Sequence, residues 1–327
     1  MPPSHRIYVG TIGEGLWRST DGGETFRRAS DGMFVECHVR ALVVHPREPR
    51  TLFLGSEQGL FKSTDGADSW HRVESPLNGK QIWSLLLLPS NPDVILAGTC
   101  PPALFRSADG GKTWTEPATR FVQECPRIIY NRVTTLLADP ADAQTVWCGV
   151  EIDALWLSRD AGQTWEPRGQ GLSSRDIHSL AIVNGNGNGR GKHLVASTNN
   201  DVNLSRDDGQ TWQPQKVGDV LPWNYCRALA QQCGRPDVLL MGNGDGPPGS
   251  VGAVARSTDG GQTWHTATMP GRSNSTIWNF AVNFADPELV YASSVAGEIY
   301  RSTDGGASWS KLAREFGEIR ALAWTPE

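Results

Sequence analysis

Apolar residues occur along this chain in short runs that end at small or turn-forming residues. Residues 52–55 and 95–98 are apolar runs that end in glycine, and residues 40–46 form a run that ends at proline. The runs lack the three-to-four-residue spacing of an amphipathic helix, whereas short runs between turn residues are typical of β-strands. We count four such strands in each successive unit of the chain, which is the pattern of a β-propeller blade.

An eight-residue pattern marks each of these units. It is written Ser-x-Asp-x-Gly-x-Thr/Ser-Trp/Phe and recurs, with small departures, seven times. The copies occupy residues 19–26, 63–70, 107–114, 158–165, 205–212, 257–264 and 302–309. Their aspartates, at positions 21, 65, 109, 160, 207, 259 and 304, are 44 to 52 residues apart.

The chemistry of the octet is that of a tight turn. Aspartate accepts hydrogen bonds from backbone N–H groups of its own turn, and glycine adopts positive φ at little steric cost. The terminal Trp or Phe buries roughly 150–250 Å² of surface, which we expect to lie between neighbouring sheets. The aspartates of the octets are therefore interpreted as scaffold and not as catalytic acids.

The two ends of the chain complete one another. Residues 318–326 read as a first strand with no blade after it, while residues 6–10 and the first octet form a blade without a first strand. Seven first strands and seven octets predict an all-β, seven-bladed propeller, closed by pairing N- and C-terminal strands in one blade. Residues 1–327 are thus expected to form a single domain, although their number would also suit two.

The octets resemble the Asp-box, or BNR, repeats of sialidases, sortilin-type receptors, xyloglucanases and photosystem II assembly factors. The resemblance covers essentially the whole chain. It implies the propeller fold, but these families share a scaffold and differ in chemistry. Function has to be argued from the residues at the site.

Composition and charge exclude several classes of partner. The formal net charge is −5, which provides no basic field for nucleic acid or an anionic membrane. No apolar run approaches the ~20 residues of a membrane helix, and residues 1–6 lack the apolar core of a signal peptide. We therefore expect a cytoplasmic protein. Its six cysteines would then be free thiols, since they form no CxxC pair.

Propellers usually bind ligands at one mouth of the central channel, where the innermost strands begin. We aligned the seven innermost strands on a small residue. The residue before it forms an inner column, namely Arg40, Trp83, Thr134, His178, Arg227, Trp278 and Arg320. Two residues earlier lies an outer column, namely His38, Gln81, Arg132, Asp176, Tyr225, Thr276 and Glu318.

The column between these two is nearly uniform and apolar, which indicates a structural task in every blade. It contains Val39, Ile82, Val133, Ile177, Cys226, Ile277 and Ile319. The two variable columns are free of that task. They contain Arg40, Arg132, Arg227 and Arg320, whose guanidinium groups would suit a carboxylate, phosphate or sulfate. A polar, water-filled mouth in which these arginines pair with Asp176 or Glu318 is the alternative.

Three tryptophans, Trp83, Trp223 and Trp278, fall in or beside the variable columns, where they could stack on a sugar, an aromatic ring or an arginine. The candidate acid–base residues are His38, His178, Tyr225 and Glu151. Asn243 begins the longest loop of this face, which could act as a lid. An Asn/Gly repeat at residues 184–189 belongs on the opposite rim as a turn. We expect no cofactor, and no ligand spacing points to a metal.

The families that share the repeat fit only partly. A sialidase-like site needs three arginines, a Tyr–Glu pair and an Asp. The arginines with Tyr225 and Glu151 would suit it, but sialidases resemble six-bladed rings. Their Phe/Tyr-Arg-Ile-Pro motif is also missing, since residues 126–129 read Pro-Arg-Ile-Ile. Xyloglucanases resemble two propellers face to face. The assembly factors match best in length and blade count, but they carry a lumenal targeting segment, and their arginine patch engages protein.

Two functional classes remain. The first is a binding protein or enzyme for a small carboxylate-bearing anion at the channel mouth. Hydrolase, lyase or isomerase chemistry of glycosidase-like ancestry would fit it. The second is a non-enzymatic scaffold that binds a protein partner through the same Arg and Trp face.

Overall fold

A computed structural model describes residues 5–125, 129–184 and 191–327. The segment at residues 126–128 lies outside these ranges, and so does the predicted turn at residues 184–189 except for its first residue. The chain starts with three strands of one sheet, which are β1 (His5–Thr11), β2 (Leu16–Ser19) and β3 (Arg27–Arg28). A complete four-stranded sheet follows, blade 2, made of β4 (Ala41–Val44), β5 (Leu52–Ser56), β6 (Gly59–Ser63) and β7 (His71–Arg72).

Blades 3 and 4 are separated by a small hairpin. Blade 3 has β8 (Gln81–Leu88), β9 (Asn91–Cys100) and β10 (Leu104–Ser107), and a single bridge between Arg106 and Thr115 replaces its outermost strand. The hairpin consists of β11 (Glu124–Cys125) and β12 (Ile129–Tyr130). Blade 4 comprises β13 (Val133–Asp139), β14 (Asp142–Val150), β15 (Ala154–Ser158) and β16 (Glu166–Arg168).

The remaining blades repeat the four-stranded plan. Blade 5 comprises β17 (Ile177–Val183), β18 (His193–Thr198), β19 (Val202–Ser205) and β20 (Gln213–Pro214). A short 3-10 helix (Val217–Asp219) leads to blade 6, with β21 (Tyr225–Gln231), β22 (Leu239–Gly244), β23 (Gly252–Ser257) and β24 (His265–Thr266). Blade 7 comprises β25 (Ile277–Ala281), β26 (Val290–Ser294), β27 (Ile299–Ser302) and β28 (Ser310–Lys311).

The ring is closed by β29 (Ile319–Pro326), which pairs antiparallel with β1. The pairing runs from His5 opposite Pro326 to Thr11 opposite Ile319, and gives blade 1 the order β29-β1-β2-β3. This confirms the prediction of an all-β propeller with seven blades, one of which contains both terminal strands. No helix in the described ranges is long and apolar enough to cross a bilayer.

The hydrophobic core is divided into seven clusters, one between each pair of adjacent blades. Each cluster contains the aromatic residue of one octet, packed against the preceding blade. Trp70 lies between blades 1 and 2, for example, and Trp264 between blades 5 and 6. The expectation that the octet aromatics fill the spaces between sheets is therefore confirmed.

The octets lie on the rim where the innermost strands end, opposite the channel mouth. In the first octet, Ser19 Oγ donates to Asp21 Oδ1 over 2.7 Å and accepts from the N–H of Gly23 over 2.9 Å. Asp21 Oδ1 also accepts from the N–H of Thr25, and Oδ2 from its hydroxyl. The second octet has Ala67 in place of the fifth-position glycine, and Ala67 adopts the same positive φ, 66°.

The uniform apolar column is explained by packing between blades. A Cβ on Gly98 of blade 3 would lie 2.4 Å from Val133 Cγ1 of blade 4, and one on Gly55 would lie 2.5 Å from Ile82 Cγ2. Gly10 meets Val39 and Gly149 meets Ile177 in the same way. Each of these apolar side chains therefore packs directly against a glycine of the preceding blade, at a position where a larger residue would clash.

Six of the seven innermost strands, all except that of blade 2, carry a β-bulge at the inner column. In blade 3 the register shifts between Ile82 and Ser84, which leaves Trp83 as the extra residue. Blades 1, 4, 5, 6 and 7 have the same shift at the same place. A bulge leaves its extra residue outside the regular pairing and turns its side chain. The inner column is thereby directed into the channel.

Acid should destabilise the ring through the octets. The hydroxyl and N–H of the threonine four residues on hold the pKa of Asp21, Asp109 and Asp207 at about 2, below the ordinary 3.8. A depressed folded pKa contributes stability that is complete above the unfolded value and is lost as pH falls toward the folded one. We expect the melting temperature to fall between about pH 4 and pH 2. A melting temperature that stays constant over this range would contradict the account.

Blade packing should be sensitive at Gly98. Gly98→Ala forces a methyl group against Val133, which we expect to lower the free energy of unfolding by about 1–3 kcal/mol. Gly191→Ala is the matched control, since a Cβ there meets no atom of the described residues within 4 Å. The control should change stability by less than about 1 kcal/mol in urea unfolding. Equal effects of the two substitutions would show that the contact with Val133 is unimportant.

Candidate anion-binding channel

The seven inner-column residues come together around one cavity. Arg40, Trp83, Thr134, His178, Arg227, Trp278 and Arg320 all line a space of about 280 Å³ inside the channel. Three of the four predicted arginines are among them. Among the described residues that line this inner cavity there is no carboxylate.

A wider vestibule opens outward from the inner cavity and has a volume of about 910 Å³. Four members of the outer column line it, namely Arg132, Asp176, Tyr225 and Glu318. His178, Arg227, Trp278 and Arg320 belong to both spaces, so the two are continuous. His38 and Gln81, which the alignment placed in the same column, line neither space.

Two tryptophans alternate with the four arginines. The guanidinium carbon lies 4.6 Å from the Trp83 ring centroid for Arg40 and 4.1 Å for Arg132. The distances to Trp278 are 4.0 Å for Arg227 and 4.6 Å for Arg320. Cation–π contacts stabilise a desolvated guanidinium by up to about 2 kcal/mol. Trp83 and Trp278 thus stack on arginines, which were one of the three kinds of partner expected for them.

Two arginines are paired with carboxylates. Arg132 contacts Glu151 twice, through Nη2 and Oε1 at 2.8 Å and through Nε and Oε2 at 2.5 Å. Arg320 pairs with Glu318. The alternative of pairing with Asp176 or Glu318 therefore holds for Arg320, whereas Arg132 pairs with Glu151.

Arg40 and Arg227 form no ion pair within the described residues. Arg227 is only 8% exposed, and burial lowers its pKa and that of Arg40. A guanidinium remains charged despite such shifts. The inner cavity therefore presents positive charge that no ion pair within the described residues neutralises.

His178 is fixed by its neighbours. Its Nδ1 lies 2.7 Å from the carbonyl oxygen of Cys226, which can only accept, so Nδ1 carries the hydrogen. Nε2 faces Asp176 Oδ1 at 3.5 Å. Burial and the charge of Arg227 lower the pKa of His178, so the ring is neutral and Nε2 presents a lone pair.

The other three candidate acid–base residues lie at different distances from His178 and the inner cavity. Tyr225 lies against His178, with ring centroids 5.1 Å apart, and burial raises its pKa. Glu151 shares the vestibule but is held by Arg132. His38 lies 3.5 Å from Arg40 Nη2, away from the other three. His178 is the one of these four that reaches both spaces.

Trp223 and Asn243 line neither space. Asn243 is buried, and its amide donates to the carbonyl oxygen of Trp223 over 3.1 Å, which ties the loop before blade 6 to β22. The loop after Asn243 does reach the vestibule through residues 245–248. Sequence reasoning missed Arg175, which lines the vestibule and pairs with Asp153 at 3.1 Å.

Cysteine and metal chemistry find little support in the described residues. Cys37, Cys100, Cys148, Cys226 and Cys233 are free thiols, and burial raises the pKa of Cys37 to about 12. The described part of the chain has no group of three His, Cys, Asp or Glu residues placed to hold a metal.

Two family models match parts of the chain. The BNR/Asp-box repeat model matches residues 255–266 and 300–311, which are the last two octets with flanking residues. The Sortilin-Vps10 model, described as sortilin, neurotensin receptor 3, matches residues 14–150. No curated protein sequence matches the chain.

Solved structures share the fold at low identity. A GH74 xyloglucanase from Xanthomonas campestris has a TM-score of 0.63 and 19% identity over 94% of this chain, which spans 46% of that enzyme's chain. YCF48 bound to D1 peptide has a TM-score of 0.61 and 17% identity, covering 89% of this chain and 91% of the other. Sqt1 from Saccharomyces cerevisiae has a TM-score of 0.56 and 14% identity, with coverages of 85% and 74%.

These likenesses concern the fold, and they agree with the seven octets and the seven sheets. The chain is therefore a seven-bladed β-propeller with one octet in each blade, and the BNR/Asp-box repeat model matches two of these octets.

Proposed function

We propose that the inner cavity binds a small carboxylate-bearing anion. The observation that carries this is the convergence of Arg40, Arg227 and Arg320 on a cavity whose described lining residues include no carboxylate. Arg40 and Arg227 have no acidic partner in the described chain, so a bound anion would supply one. Carboxylates accept two parallel hydrogen bonds from one guanidinium, which suits this donor set.

Binding is the core of the proposal, and conversion of the ligand is an extension of it. His178 is the candidate group for proton transfer, because its neutral ring lines both spaces. Glu151 and Tyr225 would act on it or on the ligand from the vestibule. The chain is only 19% identical to the GH74 xyloglucanase, so that likeness concerns the fold and gives no argument about activity.

Anion binding should be visible as thermal stabilisation. A panel of acetate, succinate, citrate, phosphate and sulfate at low salt should raise the melting temperature for at least one carboxylate. The Arg227→Ala, Arg320→Ala double variant should abolish the shift. Each lost charged hydrogen-bonding partner costs about 1.5–3 kcal/mol of binding free energy.

The matched control is Arg27→Ala, which removes an exposed arginine from β3 outside the channel. It should retain the full shift, and circular dichroism should show all three proteins folded. If no anion stabilises the wild-type protein, the proposal is wrong.

A protein partner on the same face is the second candidate. Three apolar side chains on or beside the hairpin are well exposed, with Ile129 74%, Tyr130 52% and Val122 46% accessible. The hairpin leads directly into Arg132 at the vestibule. YCF48, a structural neighbour, is bound to a peptide, which makes this use of the fold plausible here.

Substitutions in the hairpin distinguish the protein-partner candidate from the anion-binding candidate. An Ile129→Ser, Tyr130→Ser variant should lose a partner that the wild-type chain captures by cross-linking, without losing the carboxylate shift. Phe284→Ser, at another well-exposed residue, is the control and should retain the partner. Retention of the partner by the hairpin variant would exclude this surface.

A further inference from the structure

The vestibule differs in charge from the inner cavity that it leads to. Glu151, Asp176, Asp245 and Glu318 line the vestibule, whereas the inner cavity has no lining carboxylate among the described residues. Because both spaces share His178, Arg227, Trp278 and Arg320, one small molecule can occupy both at once. Such a molecule would meet positive charge at its inner end and oxygen acceptors at its outer end.

Three of the four vestibule carboxylates are already engaged. Glu151 is paired with Arg132, and Glu318 with Arg320. Asp245 clamps its own loop, accepting from the N–H of Ser250 at 2.8 Å and from its hydroxyl at 2.7 Å. These groups have little capacity left for a ligand.

Asp176 is different. Its Oδ1 is buried and accepts no hydrogen bond from the described residues, because His178 has its hydrogen on Nδ1 and turns a lone pair toward it. Burial acts to raise the pKa of Asp176, but its contact with His178, followed by the charges of Arg227 and Arg132, holds that pKa below its ordinary value. Asp176 is therefore ionised. The amide oxygen of Asn199, also in the vestibule, likewise has no donor among the described residues.

We propose that the ligand is an amino-carboxylate zwitterion, bound with its carboxylate in the inner cavity and its ammonium group against Asp176. This rests on the proposed function and specifies the ligand class. An ammonium group has three donors and no acceptor, so it can donate to the Asp176 carboxylate, whose side chain is 18% exposed and lines the vestibule. A cationic donor would offset the desolvation of this partly buried carboxylate.

Ligands that share a carboxylate and differ only at the other end test the two proposed contacts separately. Straight-chain monocarboxylates of two to six carbons, the corresponding ω-amino acids and the corresponding dicarboxylates would be titrated calorimetrically at pH 7.5 and low salt. At one chain length, the amino acid should bind at least tenfold more tightly than both the monocarboxylate and the dicarboxylate. Dicarboxylates should be disfavoured, because their outer end would meet Asp176.

Asp176→Asn should remove the preference for the amino group while the monocarboxylate binds as well as before or better. Glu24→Gln, in the first octet on the opposite rim, should keep the preference. If monocarboxylates bind but amino acids gain nothing at any length, the zwitterion proposal is wrong and the anion site stands. If no carboxylate of any series binds, both proposals fail.

Discussion

The packing of one apolar residue per blade against a small residue of the preceding blade determines the form of this ring. Val39, Ile82, Val133 and Ile177 each press on a glycine that would collide with them if it had a Cβ. The contact brings each innermost strand close to the second strand of the preceding blade near the mouth. The strands accommodate this with a bulge just beyond the contact, and the residue released by the bulge faces the channel. The residue that packs against the neighbouring blade and the residue that lines the channel are therefore neighbours on the same strand.

The arginines of the channel are kept charged by an arrangement that leaves them available. All four lie on tryptophan faces, but carboxylates hold only Arg132 and Arg320, and Arg40 and Arg227 form no ion pair within the described residues. An aromatic face stabilises a cation without using its N–H groups, whereas a carboxylate occupies them. The alternation of Arg and Trp around the ring thus maintains positive charge and free hydrogen-bond donors in a buried space.

The sequence was informative where repetition supplied an internal comparison. The octets fixed the number of blades, and the contrast between Val39-type and Arg40-type columns identified the residues that line the inner cavity. The outer column was less predictable. Arg132 and Asp176 line the vestibule, whereas His38 of the same column lies outside both spaces. Side-chain pairing, such as Glu151 with Arg132 or Asn243 with Trp223, depends on distances across loops that no local pattern encodes.

The closure of blade 1 has a consequence for how the protein is made. Arg320 is on β29, which pairs with β1 across almost the whole length of the chain. During synthesis, blade 1 lacks its innermost strand until β29 has left the ribosome, and until then the cavity lacks one of its walls. A chain that has not yet added β29 therefore lacks Arg320 and one wall of the inner cavity. The anion site proposed above would thus form only when the ring closes.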